Sequence, residues 1–287
     1  MAFRIGTGSW ADPEYKPLLP PPPGAPASER LRAYAARFNH AEVNATAYRT
    51  PSPQQVQGWL EQTPPDFTFS VKLHQRLSQS PGRAGADDNL IRRTRESIAP
   101  LTEARRFTCF LLVLPASFAP GKHALDELAA LRDHLVPYPI AVELRHRGWV
   151  DDERRAETIA FFQAQALVWV SVDMPQREDS TLMPAVDVVT HPEFAYLRCH
   201  GRNPRWPEEK SAEAKHRYAY SDAEHDELAV RAQALARQVR TVHIIANNHA
   251  EDYAPRTALA LQQLLHPRTS PGAPPSQTAE RAWRPGR

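Results

Sequence analysis

Eight short apolar runs, most of them separated by stretches with a helical period, constrain this chain more than any other feature. The runs fall at residues 3–6, 41–44, 67–72, 109–114, 140–144, 167–172, 194–198 and 242–246. Helical patterns lie between them at 28–38, 53–62, 88–101, 123–135, 152–166 and 221–240, and another follows the last run at 255–265. Runs as continuous as Phe110-Leu111-Leu112-Val113-Leu114 suit a parallel sheet covered on both faces. Strand–helix alternation repeated eight times closes such a sheet into a TIM-type (β/α)8 barrel, with a doubly wound open sheet as the alternative. Ser52 with Pro53 and Gln55, and Ser221 with Glu224, are reciprocal helix caps that fix two helix starts. The sixth connection, 174–193, has no helical period and is expected to be irregular.

The 287 residues match one barrel of about 250 plus an extension. Residues 1–267 are read as a single domain. Residues 268–287, rich in Pro, Ser, Thr and Arg, are read as a disordered tail. The 28 prolines act mainly as punctuation, and Pro20 to Pro23 make the first connection a stiff spacer. Net charge is +2, and the tail alone carries +3, so the body gives no general attraction for nucleic acid. No apolar run reaches the ~18 residues of a membrane helix, the start lacks the pattern of a signal peptide, and Cys109 and Cys199 both sit in apolar runs. A cytoplasmic protein is expected, with no membrane partner and an oligomeric state the sequence leaves open. Of 35 basic residues 30 are Arg and five are Lys, so a buried Lys is an unusual choice for this chain.

Barrel active sites form where strands end at their carboxyl termini. The strands here end in Gly6-Thr7-Gly8-Ser9-Trp10, Glu42-Val43-Asn44, Val71-Lys72, Glu143-Leu144-Arg145-His146, Asp173, Arg198-Cys199-His200-Gly201 and Asn247-Asn248. Only the fourth, Leu114-Pro115, ends without a polar group. Because side chains alternate, Glu42 shares a face with Asn44, Glu143 with Arg145 and Arg198 with His200, while Val43, Leu144 and Cys199 face the helices.

These residues resemble the YecE-like barrels, a domain-of-unknown-function family. The resemblance rests on the first-strand motif, Phe38-Asn39-His40-Ala41-Glu42-Val43-Asn44-Ala45-Thr46-Ala47-Tyr48-Arg49-Thr50-Pro51, Phe67-Thr68-Phe69-Ser70-Val71-Lys72, Leu114-Pro115-Ala116-Ser117-Phe118, Val142-Glu143-Leu144-Arg145-His146-Arg147-Gly148-Trp149, Tyr196-Leu197-Arg198-Cys199-His200-Gly201 and Asn247-Asn248. It implies a TIM-type barrel and carries no established reaction. The family usually reads Gly-Thr-Ser-Gly-Trp at the first strand, so Gly8 and Ser9 are exchanged here. A Gln usually precedes Leu-Pro-Pro in the fourth strand, where this chain has Val113 before Leu114-Pro115-Ala116. The asparagine pair, usually followed by Asp, is followed by His249.

The leading functional expectation is an enzyme for a phosphorylated or other anionic substrate, working by acid–base or hydrolytic chemistry. Lys72, Arg145 and Arg198, with Arg202 nearby, would hold the anion, because guanidinium forks match phosphate and carboxylate. Glu42 and Glu143 would act as acid and base, with His200, Asp173 and Asn247 orienting them; Asn44, Asn248, Trp10, Tyr48, His146 and Trp149 would complete the substrate site. No cofactor is predicted. A divalent metal on Glu42, Glu143, Asp173 and His200, in a phosphodiesterase or isomerase, is a second alternative. The others are a non-catalytic nucleic-acid or phospholigand binder and a purely structural ion-pair layer. Lys72 beside two carboxylates is expected to stay charged, which opposes its use as a Schiff-base nucleophile.

Overall fold

A computed structural model of the chain describes residues 2–12, 15, 18, 26–177 and 180–266. The Pro20 to Pro23 spacer and the 268–287 tail lie outside the described residues. Eight strands form one parallel sheet: β1 (Ala2–Thr7), β2 (His40–Val43), β3 (Thr68–Lys72), β4 (Phe107–Val113), β5 (Ile140–Glu143), β6 (Val168–Asp173), β7 (Phe194–Cys199) and β8 (Thr241–Ala246). Each expected run became a strand, shifted by no more than two residues at either end.

Ten α-helices lie among the described residues: α1 (Ala27–Ala35), α2 (Pro53–Glu61), α3 (Gln75–Gln79), α4 (Asp88–Ser97), α5 (Ala99–Glu103), α6 (Asp126–Leu135), α7 (Arg155–Ala164), α8 (Ala212–His216), α9 (Asp222–Ala236) and α10 (Tyr253–Leu265). Both predicted capping boxes are present, at Ser52 with Gln55 and Ser221 with Glu224. The single helix expected over 88–101 is two, α4 and α5, parted at Ile98. Pro100 has no N–H for the helix ladder and restricts the residue before it. The sixth connection has no helix among its described residues, as expected.

The ring closes unevenly. β1 pairs with β8 along its whole length, from Ala2 opposite Thr241 to Thr7 opposite Ala246. Between β1 and β2 the bridging groups are side chains. Asn39 accepts from the Ile5 N–H at 2.8 Å and donates to the Phe3 carbonyl at 3.1 Å. Tyr34 OH accepts from the Thr7 N–H at 2.7 Å and donates to the His40 carbonyl at 3.0 Å. Gly6 permits this approach, since a Cβ there would collide with the His40 carbonyl. On the opposite side β5 and β6 are joined by a short pairing, Ala141 with Val168 and Val142 with Trp169. Tyr34→Phe removes a buried hydroxyl that ties both sides of the seam and is expected to cost about 1–3 kcal/mol in urea unfolding. A loss below about 0.5 kcal/mol would mean the seam does not depend on it.

Strand alternation decides what fills the bore. His40 and Glu42 of β2, Ser70 and Lys72 of β3, Glu143 of β5, Tyr196 and Arg198 of β7 and His243 of β8 face inward, whereas β4 and β6 contribute Leu111, Val113, Val170 and Val172 at the same levels. Barrel bores are usually filled by branched apolar residues, so this one is polar to an unusual depth.

Candidate functional site

Arg198 stands at the centre of the bore, 1% exposed. Its Nε donates to Glu42 Oε2 at 3.0 Å, its Nη2 to Glu42 Oε1 at 2.6 Å, and its Nη1 to Glu143 Oε2. All three guanidinium nitrogens therefore meet protein carboxylates. Each carboxylate is further engaged. Tyr196 OH donates to Glu42 Oε2 at 2.9 Å, Arg145 Nε donates to Glu143 Oε1 at 2.8 Å, and His200 Nε2 lies 3.1 Å from Glu143 Oε2. Burial raises the Glu143 pKa, but Arg198, His200 and Arg145 outweigh it and hold the group well below the usual carboxylate range. Glu143 is thus a fixed anion.

Two hydrogen-bonded chains converge on this layer. From the mouth, Asn44 Nδ2 reaches Asn247 Oδ1 at 3.4 Å, and Asn247 Nδ2 lies 3.1 Å from His200 Nδ1. That arrangement makes Nδ1 the acceptor and leaves the proton on Nε2, facing Glu143. Burial, opposed by Glu143, lowers the His200 pKa and keeps the ring neutral. From below, Thr68, His40, Ser70 and Tyr196 are linked at 2.9, 3.1 and 2.7 Å. Since an ionised carboxylate only accepts, Tyr196 must donate to Glu42, and the chain of donors points upward at it.

Above the layer are two adjoining cavities that share Gly8, Ser9, Asn44 and Ala45. The larger, about 420 Å³, is bordered by Lys72, Arg145, Arg198, Asn247 and His249, with Tyr48 and Asp12 at its rim. Tyr48 is 75% exposed. The smaller, about 250 Å³, is bordered by Trp10, Trp59, Glu42 and Arg49. Trp10 meets Trp59 edge-on at 5.5 Å. Gly8 belongs to both walls: a Cβ there would collide with the amide groups of Asn44 and Asn247, so the Gly8–Ser9 exchange leaves room for that pair.

The Lys72 carbonyl accepts from Thr46 Oγ1 at 2.6 Å, but its ammonium makes no hydrogen bond or ion pair among the described residues. Burial, reinforced by Arg198 and Arg145 and opposed by Glu42 and Glu143, brings its pKa down to about 8. At that value about nine-tenths of the groups keep the proton at pH 7, so the ammonium remains the main form as expected, although the arginines on both carboxylates repel it. Arg145 is 28% exposed in its side chain and bonds Glu143 through Nε.

Several expected site residues lie elsewhere. Asp173 sits opposite Cys199 in the β6–β7 register and so faces the helices. There it pairs with Arg202 at 3.0 Å and Arg231 at 2.7 Å and accepts from Tyr220 OH at 2.7 Å. Arg202 also reaches Glu227 at 2.8 Å, which removes it from the anion site. Asn248, one residue past the inward Asn247, is fully buried and donates to the Tyr218 carbonyl and Thr257. Trp149 is buried, stacked on Phe118, with Nε1 donating to the Phe118 carbonyl. His146 accepts from the Gly148 N–H and caps a short turn. Arg198 is 1% exposed and spends three of its five N–H donors on Glu42 and Glu143, so it serves the floor before any ligand in the cavity it borders. The metal set Glu42, Glu143, Asp173 and His200 is not brought together, and among the described residues no group of three or more His, Cys, Asp or Glu is placed to hold a metal ion. Tyr196, Ser70 and His40 were missed, although each lies two residues before a residue singled out in its own strand. Trp59, from α2, had no such signal.

Fold and site together define a parallel (β/α)8 barrel with a buried carboxylate–guanidinium floor beneath a cationic, aromatic-sided mouth. The chain belongs to the family described as Protein of unknown function DUF72, which matches residues 4–281. It is 24% identical over 269 residues to the UPF0759 protein YunF of Bacillus subtilis, covering 91% of this chain and 94% of that one. Over 147 residues it is 32% identical to the UPF0759 protein YecE of Escherichia coli K12, half of this chain and 48% of that one. A crystal structure of a DUF72 family protein from Thermotoga maritima has a TM-score of 0.81 and 30% identity, covering 92% of this chain and 99% of that one. Another, from Enterococcus faecalis, has a TM-score of 0.81 at 25% identity, covering 92% and 95%. The resemblance read from the strand-end motifs is therefore a family relationship. No helix among the described residues is long and apolar enough to cross a membrane.

Proposed function

We propose that this protein is an enzyme that binds a small phosphorylated or otherwise anionic substrate in the barrel mouth and performs acid–base chemistry on it. One observation carries the reading: Lys72 and Arg145 border the 420 Å³ cavity with donors that no described residue uses, while the carboxylates below them are occupied. An anion in the cavity would complete the charge pairing that the floor leaves open. The cavity lies in the size range of small-molecule sites, and Trp10 and Trp59 offer an apolar wall for the rest of the substrate. Lys72, with a pKa of about 8, exchanges protons near neutral pH, where general acid–base groups work best. Glu42 borders the smaller cavity with Arg198 and Tyr196 on its oxygens, and Glu143 positions Arg145.

Inorganic phosphate and 3-phosphoglycerate are suitable probes, read by calorimetry and thermal shift. Arg145→Met is expected to weaken binding at least tenfold, with the Arg198 pairs intact. If neither anion bound the native chain, or the variant bound as well as the native one, the reading would be wrong.

A further inference from the structure

Anion binding leaves unexplained why one of the cations bordering the larger cavity is a lysine. In a chain where 30 of 35 basic residues are arginine, a position needing only fixed charge would more readily carry Arg. Arginine keeps its proton in proteins, whereas a buried lysine can lose one and become a nucleophile. Lys72 lies on the bore face two residues after Ser70 and opposite Leu111, it opens onto the 420 Å³ cavity, and its side-chain amine has no ion-pair or hydrogen-bond partner among the described residues. The nearby carboxylates do not stabilise its ammonium by contact, because Arg198, Arg145, Tyr196 and His200 occupy them. Lys122 and Lys210 are exposed, so the chain supplies its own reference amines.

Resting on the anion-binding reading, we infer that Lys72 is a nucleophile that forms a Schiff base with a small aldehyde or ketone whose anionic group is held by Arg145. The ammonium first releases a proton to solvent. The amine lone pair attacks the carbonyl carbon, the C=O π electrons move to oxygen, and a nitrogen proton passes to that oxygen. The resulting hydroxyl takes up one proton and leaves as water while the nitrogen lone pair forms C=N. The protonated imine keeps the charge the ammonium carried, and one water is the net product. A pKa of about 8 leaves roughly a tenth of the groups as free amine at pH 7, some 300 times the fraction on an ordinary lysine.

The test uses the full chain at pH 7 with glyoxylate or dihydroxyacetone phosphate and sodium cyanoborohydride, whose hydride reduces the imine to a stable secondary amine. Peptide mapping by mass spectrometry should find Lys72 modified at least tenfold faster than Lys122 and Lys210. Lys72→Arg should remove that fast phase alone. Equal rates at Lys72 and the exposed lysines with both probes would overturn the inference, and this comparison within the native chain does not depend on the variant folding. Inorganic phosphate separates the two readings. Protection of Lys72 by phosphate supports both. Fast trapping without protection upholds the nucleophile and removes the anion site. Phosphate binding without selective trapping removes the nucleophile and leaves the anion site.

Discussion

Changing Arg198 to methionine is expected to cost the barrel about 3–5 kcal/mol, because it strands two buried carboxylates that the guanidinium now neutralises. For a domain with an overall stability of ~5–15 kcal/mol, that is a Tm loss on the order of 10 °C, measurable by calorimetry. Tyr196, Arg145 and His200 would remain on the carboxylates but cannot replace three charge-assisted bonds. Neutralising the stranded groups in a triple variant, Glu42→Gln and Glu143→Gln with Arg198→Met, should recover most of the loss. That follows from the general finding that a buried ion pair is costly to break and cheap to replace whole. A single variant as stable as the native chain would show that the pairs carry little folding energy. Full recovery in the triple variant would show that they are retained for a purpose other than stability.

Acid should unfold this protein early, near pH 5. His40, His200, His216 and His243 are buried, and burial lowers the pKa of each; His243 falls to about 3. Arg4 faces His40 and His243, while Arg145 and Arg198 face His200 and add to that lowering against the pull of Glu143; His200, His249 and Arg145 add to it at His216. A neutral folded ring that takes up a proton on unfolding contributes stability above its unfolded pKa near 6.5. That stability is lost as pH falls toward the folded value. Each ring then costs up to about 1.4 kcal/mol per pH unit, so four together cost at most about 5.5 kcal/mol per unit. Glu143 contributes in the same direction only below about 4.5, its unfolded value. Urea unfolding between pH 7.5 and 5 should show this steep decline, and His243→Asn should flatten it by about a quarter. A profile level down to pH 5 would contradict the burial of these rings.

The strand pattern was readable because the strands are covered on both faces, so β4 to β8 are largely apolar runs separable from the helices by length, while β2 and β3 keep the apolar Ala41, Val43, Phe69 and Val71 on their outer faces. Helix starts were less so. Asp126 begins α6 three residues after the expected start, and Arg155 begins α7 after a turn at 151–154, since neither has a strong cap. In the site, alternation within a strand placed Glu42, Glu143, Arg145, Arg198 and His200 correctly on the bore. What it could not supply was the phase between strands. Asp173 ends β6 just as Lys72 ends β3, yet only the pairing of Val172 with Arg198 shows that Asp173 points outward. Asn248 fails in the same way against Asn247. Partner choice was also beyond the sequence, since three carboxylates and three cations can pair in many ways. The structure leaves Lys72 and Arg145 facing the mouth because Arg198 takes both glutamates.

The uneven closure of the ring has a mechanical consequence. Backbone pairing is full from β6 through β7 and β8 to β1 and runs from β2 to β5, but thins at the β1–β2 seam and at β5–β6. The molecule is therefore two four-stranded staves, and every polar contact across the bore stitches one to the other. Arg198 to Glu42 and Glu143, Tyr196 to Ser70, His200 to Glu143 and Asn247 to Asn44 all run between staves. On the proposed reading, a ligand held by Lys72 and Arg145 would bear on one stave, while the arginine that clasps the glutamates beneath belongs to the other, so filling the mouth would load the contacts that join the halves.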